Sequence, residues 1–224
     1  MSDRYFPRQF LRHCNIAAVA GGAPPVLVGS PYCRVQGFGR NHPLAIPRVA
    51  TVLRLCEELG WVDQSSMREA PAADLDSLVR FHDHEYVTAL RDADAAGQVT
   101  AAVRERFGFG TLENPLFPGV FTRAATAVGG SILAAELALD GRVVFHPAGG
   151  THHGRPGRAS GFCYFNDPVF AILTLLEHGV QRVLYVDLDA HHGDGVQDAF
   201  AGNPAVLTIS VHEGGRWPHS GAAD

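Results

Sequence analysis

At 224 residues, with 46% hydrophobic and 18% charged content, the chain is long enough for one ordinary globular core without disulfides or metals needed merely to fold it. A formal charge of −5 offers no overall attraction to nucleic acid or to an anionic membrane, and no apolar stretch approaches the length of a membrane span. The cysteines Cys14, Cys33, Cys56 and Cys163 are widely scattered, so they form neither a disulfide framework nor a paired metal-ligand spacing, and a reducing cytoplasm is the expected compartment.

In chain order, residues 1–24 read as a loosely structured leader, whose short apolar run from Ile16 to Ala20 ends at Gly21-Gly22 and is too brief for a secretory signal. A short strand at Val26–Val28 and a loop over 29–41 follow. Pro47 fits the first turn of a helix with apolar Val49, Val52, Leu53 and Leu55 that stops at Gly60. Two further helical patterns cover 74–95 and 99–106. A Gly/Pro/Asn segment over 107–118 leads into an Ala-rich helix over 121–139, whose Gly129-Gly130 pair predicts close packing against another element. The pattern then becomes strand 142–146, loop 147–165, helix 167–178, strand 182–187, a short helix from 194, and strand 206–211. Such alternation predicts an α/β fold with a parallel, helix-covered sheet and a ligand site at the carboxyl ends of its strands.

The polar residues gather at those ends. Val186 to Gly195 places three carboxylates and two imidazoles directly after an apolar strand, whose four apolar residues are expected to bury it. Alternation puts Asp187, Asp189 and His191 on one face, and Asp189 with His191 makes a pair of oxygen and nitrogen ligands for a divalent metal. A solvated, turn-forming acidic loop is the plainer reading, and five ionisable groups within eight positions weigh against it. Gly149-Gly-Thr-His-His-Gly154 follows the neighbouring strand. Alone, its tandem histidines would read as a surface feature; beside a metal cluster in the adjacent βα loop they become functional candidates. Farther on, Asn166 or Asp167 caps the next helix with Pro168 in its first turn, while Phe162 serves either as a channel wall or as a core aromatic.

These residues carry a resemblance. Pro147 to His212 resembles the active-site half of the histone deacetylase family, with a close match to its zinc-dependent class I enzymes and their bacterial relatives. Asn41-His-Pro-Leu with Arg48, Phe81-His-Asp-His-Glu-Tyr86 and Glu113-Asn-Pro-Leu-Phe-Pro-Gly119 resemble three upstream motifs of the same family. The resemblance implies an arginase/deacetylase-like parallel-sheet fold with helices on both faces. It also implies hydrolysis of an acetyl amide, in acetyl-lysine or a small acetylated amine, by metal-activated water. His152 and His153 then handle protons, supported by Asp187 and Asp194, while Asp189 and His191 ligate zinc or ferrous iron. Gly161 and Phe162 match the acyl channel, and Glu113 stands where many relatives carry an aspartate that holds the substrate backbone. Asp187, Asp189, His191, Ser210 and Val211 match the positions of a structural potassium ion.

The family's third metal-ligating aspartate and its oxyanion tyrosine have no counterpart in the sequence, and Asp224 comes too early in the family order to be that ligand. Residues 1–224 are accordingly expected to form a single, incomplete catalytic domain. An inactive acyl-lysine-binding protein is the competing reading. An arginase-like ureohydrolase would share the architecture, but the His152-His153 pair argues against an aspartate-rich two-manganese site.

Overall fold

In a computed structural model, residues 24–34, 37–39, 41–63 and 65–222 are described; Cys14, Asp224 and nearly all of the expected leader lie outside them. Strand β1 (Val26–Gly29) is a buried Val-Leu-Val-Gly run, and β2 (Met67–Glu69) and β3 (Val144–Phe145) pair with it in parallel on either side. A second parallel ladder joins β4 (Val183–Asp187) to β5 (Val206–Ser210), with Asp187 opposite Ser210. The helices are α1 (Arg48–Glu58), α2 (Leu75–Leu78), α3 (His84–Ala96), α4 (Ala101–Phe107), α5 (Val120–Leu139), α6 (Asp167–Glu177) and α7 (Asp194–Ala199). Among the described residues no helix is long and apolar enough to cross a membrane.

Local chemistry sets several boundaries. Asp74 and Thr100 accept hydrogen bonds from the Ser77 and Val103 amides at the starts of α2 and α4, satisfying donors that a helix leaves orphaned. Helix α5 packs backbone-close: a Cβ on Gly129 would lie 2.1 Å from the Pro71 carbonyl oxygen, and one on Gly130 would lie 2.4 Å from the His146 ring. The main core gathers Leu78, Tyr86, Leu90, Phe109, Phe165 and Phe170, while Val169, Ile172, Val196 and Phe200 pack beneath β4 and β5. Burial of this kind contributes roughly 1.5–3 kcal/mol per large side chain.

Several expectations change. The single helix over 74–95 is two helices, because the Asp83 amide donates to the Pro156 carbonyl and the His82 ring bonds to the same loop, which breaks the helical ladder. Strand β2 was not expected; three residues carry too little alternation to register. The strand over 142–146 shrinks to two residues, matching its two register pairs with β1. Strand β4 is not buried on both sides: Leu184 is 60% and Val186 49% exposed, because successive side chains face opposite ways and, among the described residues, only the Val183–Tyr185 face meets helices.

His82 is buried and links three segments. Its Nδ1–H donates to the carbonyls of Arg155 (2.9 Å) and Pro156 (3.2 Å), and its Nε2 accepts from the Asn166 amide at 3.1 Å. Burial pulls its pKa down to about 4, with the two carbonyl bonds opposing. The unfolded imidazole takes up a proton near pH 6.5 while the folded one stays neutral to about 4, so this histidine costs stability as pH falls across that window. Full expression of the shift corresponds to about 3 kcal/mol. Urea titrations at pH 6.5 and 4.5 should show a loss in the parent protein that is clearly smaller in His82→Gln; equal losses in both would refute the assignment.

Candidate active site

The loop after β3 and the end of β4 meet although their strands belong to different ladders, which corrects the expectation that β3 and β4 are neighbours. His152 and His153 are 6% and 3% exposed. The Nδ1 of His152 lies 2.6 Å from Asp187 Oδ2, and the Nδ1 of His153 lies 2.6 Å from Asp194 Oδ1. A carboxylate only accepts, so each Nδ1 carries the proton and each Nε2 is left for other work. The two rings sit 3.9 Å apart, and His152 Nε2 is 4.0 Å from Asp189 Oδ1.

The two carboxylates are held differently. Asp187 also accepts from the Tyr185 hydroxyl (2.7 Å) and the Asp189 amide (3.0 Å). Burial pushes its carboxyl up, but these donors and the His152 bond outweigh it and hold the pKa at about 2. Asp194 is likewise pushed up by burial and pulled below the ordinary range by His153 and by the Arg155 guanidinium, which bridges it to Asp198. Burial drags the His152 imidazole down, yet its Asp187 bond and the charges of Asp187, Asp189 and Asp194 leave its pKa raised. Cys163 is buried nearby, and burial pushes its thiol up to about 12, so it stays protonated and is no nucleophile.

Asp189 and His191 stand beside the imidazoles. Asp189 Oδ1 lies 2.8 Å from the His191 Nδ1 and accepts from the His191 amide at 2.8 Å. The bonds from His191 pull the Asp189 carboxyl below its ordinary value against the opposing effect of burial. Two donors at this separation fit one divalent ion about 2.0–2.2 Å from each. Among the described residues no group of three or more His, Cys, Asp or Glu side chains converges for a metal, so the pair supplies two coordination positions. The residues expected around a monovalent cation also come together: Asp187 faces Ser210 across the ladder, the Val211 amide donates to the Asp187 carbonyl (2.9 Å), and Ser210 Oγ accepts from the Gly193 amide (3.2 Å).

A cavity of about 1030 Å³ opens onto these groups, and its lining includes Glu113, His152, His153, Phe162, Asp189 and Trp217. Phe162 is therefore a cavity wall rather than a core aromatic. Gly161 (φ +54°) and Phe162 (φ +69°) form a two-residue turn closed by mutual backbone bonds between Ser160 and Cys163. A left-handed phenylalanine costs on the order of 1–2 kcal/mol, which the surroundings must offset. They do so through Glu113 Oε1, which accepts from the Gly161 amide at 3.0 Å, and through the His42 ring, edge-on to Phe162 at 4.6 Å.

Sequence reasoning missed Trp217. Its indole lies 4.7 Å from the His153 ring and 6.0 Å from that of His191, and a Cβ on Gly161 would lie 2.5 Å from both His153 and Trp217. It sits in an irregular Gly-rich stretch with no periodicity to place it; a lone aromatic there was the sole available signal.

Residues 42–224 match the family model described as "Histone deacetylase domain". The chain belongs to the histone deacetylase family. It is 38% identical over 195 residues to "Acetoin utilization protein AcuC" of Bacillus subtilis (strain 168), covering 86% of this chain and 50% of that protein. It is 40% identical over 181 residues to "Histone deacetylase 1" of Oryza sativa subsp. japonica, covering 80% of this chain and 34% of that protein. Two solved structures, an HDAC homologue complexed with SAHA and an HDAC homologue from Aquifex aeolicus, superpose with TM-scores of 0.81 and 0.80 at 37% identity. They cover 86% and 85% of this chain and 52% and 51% of theirs, so the parallel arginase/deacetylase fold is shared. The chain spans about half the length of the AcuC relative and a third of the rice one.

Gly161 carries a test of this wall. In a Trp61→Phe background Trp217 is the sole indole. Gly161→Ala should shift its emission and destabilise the protein by about 1–3 kcal/mol. Gly97→Ala, at φ +65° with nothing within 4 Å, should cost about 1 kcal/mol and leave the emission unchanged. Identical behaviour of the two variants would contradict the packing.

Proposed function

We propose that this chain carries the proton-handling half of a metal-dependent amidohydrolase that releases acetate from acetyl-lysine in a protein or from a small acetylated amine. One observation carries the reading: two buried, adjacent imidazoles are each bound at Nδ1 by a carboxylate beside the Asp189–His191 pair at a cavity. Family membership supports amide hydrolysis of this class.

Asp189 and His191 are the residues that would hold zinc or ferrous iron. When bound, such an ion polarises the amide carbonyl and lowers the pKa of bound water to near 7. The protein's own part is the proton traffic. An imidazole whose Nδ1–H is fixed on a carboxylate can take a proton at Nε2 from the attacking water and spread the resulting charge onto that carboxylate. The companion imidazole returns a proton to the leaving amine. The two rings are 3.9 Å apart between centres, so the base and acid roles belong to the pair.

Phe162 and Trp217 would give the acyl group an apolar wall. Such a wall suits a neutral acetylated side chain and disfavours a bare ammonium, which must shed its hydration to enter. Glu113, bonded to the Gly161 amide, would brace that wall at the substrate's entry. Asp187, Asp189, His191, Ser210 and Val211 would hold a structural potassium ion under the metal site. The chain's charge of −5 and its four widely scattered cysteines support a cytoplasmic protein working on acetylated protein or amine rather than nucleic acid.

The test is acetate release from an acetyl-lysine peptide by the zinc-loaded protein, measured on these 224 residues and on a version that spans the full length of the AcuC relative, in which turnover is expected. The expected result is turnover that a chelator or a hydroxamate abolishes, with His152→Ala and His153→Ala each lowering kcat about 10²–10⁴-fold at a KM within a fewfold. Asp189→Asn should release the metal. Peptide binding with no acetate release would replace this reading by an acyl-lysine-binding role, and the absence of both would overturn it.

A further inference from the structure

We infer that Asn166 and Asp167, at the start of α6, are positioning residues that set the backbone carrying the tandem imidazoles. The catalytic meaning of that positioning rests on the function proposed above; the clamp itself does not.

Asp167 is 1% exposed, and every hydrogen bond its carboxylate accepts comes from another segment. Oδ2 takes the Ser131 hydroxyl of α5 (2.5 Å) and the Gly150 amide (3.1 Å), while Oδ1 takes the Thr151 amide (2.7 Å) and the Thr151 hydroxyl. Asn166 is fully buried. Its Nδ2 donates to the carbonyls of His152 and Gly154, each at 3.0 Å, and its own amide is anchored on His82 Nε2. The backbone is thus gripped at 150 and 151 before the imidazoles, at 152 itself, and at 154 after them. Neither residue touches Asp189, His191 or the imidazole rings in these contacts, so both act through the loop.

Helix capping alone does not require these residue types. The capping bond at α6 uses only Asn166 Oδ1, which accepts from the Val169 amide, and serine, threonine or aspartate would serve as well there. Only an amide side chain brings two N–H donors to two carbonyls while its oxygen caps a helix. A carboxylate in the first helical turn gains a few tenths of a kcal/mol to about 1 kcal/mol from the helix dipole whether or not it is buried, so dipole chemistry leaves the four donors to Asp167 unexplained. Packing around the clamp is tight as well: a Cβ on Gly195 would lie 2.3 Å from the His152 carbonyl oxygen and 2.7 Å from Asn166 Nδ2.

Asn166→Ser keeps the cap and deletes both amide donors; Asp167→Asn keeps shape and puts an NH2 group among the loop's donors. Thr100→Ala removes a helix-capping hydroxyl at the start of α4, away from the clamp, and serves as control. Each full-length variant would be read by amide hydrogen exchange at Gly150 and Thr151, by the imidazole ¹⁵N shifts of His152 and His153, and by kcat and KM on an acetyl-lysine peptide. The inference expects faster exchange at both amides in Asp167→Asn by about tenfold or more, displaced imidazole shifts in both loop variants, and kcat lowered about 10–100-fold with KM within about twofold. Thr100→Ala should leave the imidazole shifts and kcat near the parent values. Should a loop variant fail to fold, Thr151→Val, which deletes one hydroxyl at constant volume, is expected to displace the same shifts by less. Folded loop variants with parent-like imidazole shifts would overturn the clamp whatever the activity. Parent protein that releases no acetate, with displaced shifts in the variants, would sustain the clamp and remove the proposed function instead.

Discussion

Two carboxylate–imidazole contacts, His152–Asp187 and His153–Asp194, join chain segments 35 and 41 residues apart, and both are buried. Buried charged groups hold only while both partners are in place, because losing one strands the other without water at a cost of several kcal/mol. The end of β4, the start of α7 and the loop after β3 are therefore constrained as one object. The surrounding donors reinforce this: Tyr185 and the Asp189 amide on one carboxylate, Arg155 on the other, and the Asn166–Asp167 pair on the loop's backbone. Asp189 and His191 hang from this rigid frame at its exposed edge.

The frame also accounts for the strain beside it. Phe162 takes a left-handed backbone and reaches the cavity that His153 and Trp217 line, with Glu113 and His42 holding the turn. Strain of that kind persists where neighbours over-determine it, and functional sites are where it collects. The other face of the β4–β5 ladder, which meets no helix among the described residues, is different in character: Leu184, Val186, Leu207 and Ile209 are exposed on it, while the AcuC relative and the two solved homologues carry about as much chain again as they share with this one.

Periodicity and turn chemistry made the alternating elements from α5 onward legible, since apolar runs bounded by Gly179 and by the glycines of 149–154 and 193–195 leave few other readings. The tandem histidines and the Asp187–Asp194 cluster were legible as a candidate site from the density of ionisable groups at strand ends, and the structure brings them together. What stayed hidden depends on contacts between distant residues. His82 splits the helix over 74–95 through bonds to 155 and 156, β2 forms because β1 offers it an edge, and Trp217 reaches His153 from a segment without periodicity. Asp167 looked like an ordinary residue of a first helical turn, and nothing local announces that its carboxylate belongs to a loop 16 residues away.

The most direct test of the account is proton NMR of the two Nδ1–H groups. A proton shared between a buried imidazole and a carboxylate resonates far downfield and exchanges slowly, so the account predicts two such signals. Asp187→Asn should abolish or shift the one assigned to His152, and Asp194→Asn the one assigned to His153, each leaving the other in place. Absence of both signals in the folded parent protein, or their survival unchanged in both variants, would contradict the paired-imidazole frame on which the site depends.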